Sequence, residues 1–86
     1  MDKHVRISML LDIYGGMLTD NQRESLRMHY DEDMSLAEIA EKEGGNVSRQ
    51  AVRDRIVRGE QHLNKLEEKI GAYAEWEEKH GFGVGG

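Results

Sequence analysis

Apolar residues crowd the first stretch of the chain. Val5, Ile7, Met9, Leu10, Leu11, Ile13 and Tyr14 fall between Lys3 and Tyr14. That density exceeds one narrow stripe, so the pattern predicts a first helix clasped on more than one side. Gly15-Gly16 stops it. Thr19 followed by Gln22 is a capping box, with threonine at the cap and glutamine three residues on. It opens a helix from Asp20 to about Tyr30, in which Leu26 and Tyr30 stand one turn apart, and Asp31-Glu32-Asp33 ends it. Ser35 with Glu38 repeats the capping box. Leu36, Ile39 and Ala40 then share a face of a short helix that closes at Gly44, where glycine accepts the left-handed cap conformation.

Ser48 is a further N-cap candidate, and after it Ala51, Val52 and Ile56 renew the apolar face. No stop follows until Gly71, so the helix from Arg49 to about Ile70 is long. Val52, Ile56, Gly59, Leu63, Leu66, Ile70 and Tyr73 step by 4, 3, 4, 3, 4, 3, the alternation of a coiled-coil seam. Its distal part either folds back on the first helix or zips against a second copy. Ala72 to His80 reads as one more amphipathic helix, carrying Tyr73 and Trp76. Residues 81–86, GFGVGG, read as a flexible glycine-rich tail. The fold class is all-α, a helical bundle in a single domain over residues 1–80, without strand-like alternation anywhere.

Ser35 to Arg58 has the form of a helix-turn-helix: two short-coupled helices, the second polar and basic at its start. The wording S-L-A-E-I-A-E and then V-S-R-Q-A-V-R-D-R-I, after L-T-x-x-Q-R, resembles region 4 of bacterial sigma-70 factors. More narrowly it is similar to the YlxM family of small helix-turn-helix proteins, over about Leu10 to Ile70. The resemblance implies a bundle without a wing, a DNA-binding or regulatory role, and a link to the signal recognition particle pathway. One departure stands out. The turn Glu43-Gly44-Gly45-Asn46-Val47 places Ser48 eight residues after Ala40, two more than is usual in the family. It is expected to lengthen and loosen the turn that fixes the angle between the helices.

Charge sharpens the picture. The net charge is −5, yet residues 48–59 carry +3 while 19–47 carry −5 and 60–86 carry −3. An acidic body with one basic helix suppresses non-specific DNA binding and leaves a local site. In that reading Ser48, Arg49, Gln50, Arg53 and Asp54 face the major groove of double-stranded DNA and Arg58 meets a phosphate. Arginine forks onto guanine and glutamine onto adenine; Asp54 accepts from cytosine or tethers Arg58. In the competing reading the arginines only solvate the helix and pair with Asp54 and Glu60. A third has the same fold docking on a signal recognition particle protein, and the acidic body and lengthened turn favour it.

Other chemistry is thin. There is no cysteine, so no disulfide, thiolate nucleophile or thiolate metal site is available. His4, His29, His62 and His80 are scattered, and none has a second ligand one turn on. Neither glycine pair has the flanks of a phosphate-binding loop. No enzyme, cofactor or metal is expected. No apolar run approaches the ~18 residues of a membrane span, and a cytoplasmic protein is expected. So small a chain buries only about 60% of its unfolded surface, and self-association would help it. A homodimer is expected through Leu63, Leu66, Ile70, Tyr73 and Trp76.

Overall fold

The computed structural model describes residues 2–80, and the glycine-rich stretch 81–86 lies outside the described residues. Five α-helices follow one another: α1 (Lys3–Tyr14), α2 (Asp20–Leu26), α3 (Leu36–Lys42), α4 (Arg49–Ile70) and α5 (Ala72–His80). Among the described residues there is no strand, and the all-α class holds. Local chemistry accounts for most of the helix starts. Thr19 and Ser35 each close a full capping box, with Gln22 and Glu38 reaching back to the cap N–H. Ser48 accepts from Ala51 N–H at 3.1 Å and caps α4. Gly71 ends α4 in the left-handed conformation, with φ of 68°.

Between α1 and α2, Gly15–Met17 forms a single tight 3₁₀ turn. After α2 the helical path continues, as expected, but through a widened π turn at Arg27–Asp31. There the N–H of Glu32 reaches the carbonyl of Arg27 at 3.0 Å. The wider turn leaves Met28 and Tyr30 both buried. Two histidines hold it: the His4 ring donates to the Tyr30 carbonyl at 2.8 Å and the His29 ring to the Met34 carbonyl at 2.9 Å.

The core is one cluster. Ile7, Leu10, Leu11 and Tyr14 of α1 meet Leu26 of α2, Ile39 of α3, and Val52, Ile56 and Leu63 of α4. Gly59 is the crossing point of α2 and α4: a Cβ there would stand 2.8 Å from Leu26 Cδ1. One buried polar group, the Ser25 hydroxyl, has no hydrogen-bond partner among the described residues.

The seam of α4 needs correcting as a dimer surface. Leu63 is 0% exposed and Tyr73 2%, both inside this chain's own core. The distal part of α4 and α5 folds back toward α1, so those two side chains cannot meet a second copy. Leu66 and Trp76 are half-buried against the same core, and Ile70 is 52% exposed. A shared carboxylate fixes the fold-back. Tyr14 Oη donates to Glu67 Oε1 at 2.7 Å and accepts from Ala72 N–H at 3.1 Å. Glu67 also accepts from Tyr73 N–H at 3.1 Å and Ala74 N–H at 2.9 Å. A side chain of α4 thus satisfies the open N–H groups at the start of α5. Burial pushes the Tyr14 hydroxyl pKa up, and the Glu67 hydrogen bond raises it further.

Candidate nucleic-acid interface

The helix-turn-helix consists of α3, a six-residue turn and α4. The two glycines of the turn build a cap at the end of α3. Gly44 and Gly45 adopt φ of +83° and +75°, a conformation that costs other residues dearly. In it, Gly44 N–H reaches the Glu41 carbonyl at 2.9 Å and Gly45 N–H the Ala40 carbonyl at 3.3 Å. Orphan carbonyls at the end of α3 are thereby satisfied. Val47 then packs partly buried against the core, one residue before the Ser48 cap. It stands at the position of a hydrophobic staple with Val52, which is fully buried.

This brings the starts of α3 and α4 side by side around an open groove of about 560 Å³. Ser35, Leu36 and Ala37 line one side; Ser48, Arg49, Gln50 and Arg53 line the other. Both helix starts direct their positive dipole ends to this side of the molecule, together with the first-turn N–H groups that their caps do not take. At the mouth of α3, Ser35 favours the charged form of Glu38. Its backbone N–H, then its hydroxyl, pull the Glu38 carboxyl below the ordinary range.

All six residues read from the sequence as DNA contacts are exposed: Ser48, Arg49, Gln50, Arg53, Asp54 and Arg58. The first four reach the groove, whereas Asp54 and Arg58 lie outside its lining, further along α4. Asp54 does not tether Arg58; its carboxylate accepts from Gln50 Nε2 at 3.2 Å and orients that amide. Ser35, Leu36 and Ala37 also line the groove, although the pattern of the second helix alone does not point to them. The signal was present in the capping box, which marks where the helix starts.

Electrostatics separate the arginines. Elsewhere Arg23 pairs with Asp20 at 2.7 Å and Arg27 with Asp31 at 3.7 Å. On α4, Arg55 holds Glu43 through two contacts of 2.9 and 2.8 Å. Glu60, the expected partner of an arginine, is taken by Lys3 at 3.0 Å and by the Tyr30 hydroxyl at 2.9 Å. Arg49, Arg53 and Arg58 have no ion pair or hydrogen bond among the described residues. Arg49 and Arg53 stand one turn apart on the same helix, an arrangement of like charges that costs a few tenths of a kcal/mol in a helix. No fold requirement explains leaving them so.

A model of the family described as "Putative helix-turn-helix protein, YlxM / p13 like", UPF0122, matches residues 1–82. The chain belongs to this family. Among its curated relatives, a UPF0122 protein of Desulforamulus reducens is 42% identical over 79 residues, covering 92% of this chain and 66% of its own length. One from Symbiobacterium thermophilum is 50% identical over 70 residues, covering 81% of this chain and 64% of its own. A Clostridium kluyveri member is 49% identical over 76 residues, covering 80% and 67%. The chain therefore spans about two thirds of the length of these relatives. Membership agrees with the all-α helix-turn-helix. Among the described residues no cluster of three or more His, Asp or Glu side chains can hold a metal ion, and no helix is long and apolar enough to cross a membrane.

Proposed function

We propose that this protein is a cytoplasmic DNA-binding regulator, a binding protein and not an enzyme, which presents the start of α4 to the major groove of duplex DNA. One observation carries the reading: Arg49, Arg53 and Arg58 are the arginines of α4 left without a counter-charge, on the exposed face of a helix-turn-helix. Gln50 and Arg53 are placed for base edges, with Asp54 fixing the Gln50 amide. Arg49 and the start of α3 meet one phosphate strand, and Arg58 another. The acidic remainder of the chain keeps general attraction to nucleic acid low. Two copies are proposed to associate through Ile70 with the half-buried Leu66 and Trp76, setting two recognition helices about 34 Å apart, on successive major grooves.

The test is duplex binding from a random pool across a salt series. Three arginines release counterions to give a log–log slope of about −3 for one copy and about −5 for two. Arg53→Ala is expected to cost ~1–3 kcal/mol and relax sequence preference, and Arg58→Ala to weaken all sequences alike. A second reading has the same groove docking on a signal recognition particle protein. The net charge of −5 over residues 19–47 favours it, since such a surface repels phosphate. A shallow salt slope, with neither substitution changing DNA binding, selects that reading.

A further inference from the structure

We propose that Glu43 and Arg55 form a clasp that sets the angle between α3 and α4, and so positions Arg49 and Arg53 over the groove. The proposal deepens the DNA-binding reading and rests on it for its consequence. Its geometry stands apart. Arg55 Nη1 donates to both Glu43 oxygens, at 2.9 and 2.8 Å, across twelve residues of sequence. Both side chains are largely covered, at 26% and 30% exposed. Glu43 is the last residue before two consecutive left-handed glycines, and Arg55 lies nearly two turns into α4.

The bond therefore bridges the turn from outside. Within the turn, the hydrogen-bonded cap stops at Gly45 N–H, and the next anchor is the side chain of Val47. Glycine, lacking a Cβ, has wider backbone freedom than other residues. Unbridged, a turn of this length lets α4 swing while both helices stay intact. A charge-assisted contact to both carboxylate oxygens, partly withdrawn from water, is a directional restraint across that hinge. It also explains why Arg55 differs from its neighbours: its charge is neutralised within the fold, so it is a positioning residue and not a phosphate contact.

The substitution Glu43→Gln separates positioning from charge, because the two predict opposite signs. Removing a carboxylate near the recognition helix tightens DNA binding if Glu43 merely repels phosphate. Breaking the clasp weakens it, by about tenfold, or about 1.4 kcal/mol. Helix geometry is read independently. The chain has no cysteine, so nitroxide labels at Glu41→Cys on α3 and Gln61→Cys on α4 report one interhelical distance by electron–electron resonance. A single narrow distribution is expected in the natural background, broadened by Glu43→Gln or Arg55→Gln. The charge swap Glu43→Arg with Arg55→Glu is expected to narrow it and restore DNA affinity. Thermal melting confirms that each variant is folded. A distribution unchanged by Glu43→Gln, or tighter DNA binding by that variant, overturns the clasp. If the distribution broadens while the natural protein binds no duplex, the DNA reading falls and the clasp stands as the setter of the angle.

Discussion

Two alanine substitutions in the contact between α2 and α4 are expected to move stability in opposite directions. At Gly59, alanine has the better helix propensity by about 1 kcal/mol. The added methyl, however, would meet Leu26 Cδ1 at 2.8 Å and Cγ at 3.3 Å, with Gln22 Cβ at 3.5 Å. Leu26 is 0% exposed and has nowhere to swing. Overpacking of this kind costs ~1–3 kcal/mol, so Gly59→Ala should lower the melting temperature by several degrees. At Ser25 the balance reverses. Its hydroxyl is buried without a partner, and an unsatisfied buried polar group costs ~1–3 kcal/mol. Ser25→Ala deletes that group in a helix and is expected to raise the melting temperature. Paired thermal melts decide both; a rise for Gly59→Ala would mean that Leu26 yields, and a fall for Ser25→Ala that its hydroxyl has a hidden partner.

At the scale of elements, what was legible in the sequence was local. Caps are read from residues three apart, so α2, α3 and α4 begin where Thr19, Ser35 and Ser48 place them. The widened turn at Arg27–Asp31 was not legible, because it answers to a distant demand. Met28 and Tyr30 must both turn inward, and the His4 ring of α1 must reach the Tyr30 carbonyl. The seam of α4 was half legible. A 4-3 spacing shows which face is apolar but not whose atoms cover it, and Leu63 and Tyr73 are covered from within. For the candidate site, the exposed arginines were visible from helical phase. The Arg55–Glu43 contact was not, since it depends on how far the two-glycine turn folds back. Glu67 shows the same dependence: in sequence it is one glutamate of a polar stretch, whereas in the structure it joins three helices. Glu67→Ala removes acceptors for Tyr14 Oη and for two N–H groups of α5. A loss of ~1–3 kcal/mol is expected, with fraying of α5. Trp76, the only tryptophan, reports it by a red-shifted emission. Unshifted emission with unchanged melting would mean that α5 is held by packing alone.

For the whole molecule, size and charge act together. The chain is drawn out to 47 × 24 × 16 Å, and a domain this small has a marginal core. It leaves Val5, Ile13, Met17 and Ile70 as large exposed apolar side chains. Ile70 is the one of these that continues the apolar row of α4, beside the half-buried Leu66 and Trp76. In the proposed dimer a second copy would cover it, doubling the number of uncompensated arginines presented to DNA. Sedimentation equilibrium at micromolar protein is then expected to give twice the 9.8 kDa of one chain. Ile70→Asp is expected to return the single mass without loss of helix, because Ile70 is 52% exposed and lies outside the core cluster. The same substitution should cut the salt slope of DNA binding from about −5 to about −3, since only three arginines then act together. A single 9.8 kDa species for the natural protein, with the shallower slope from the start, removes the dimer and leaves one helix-turn-helix reading one groove.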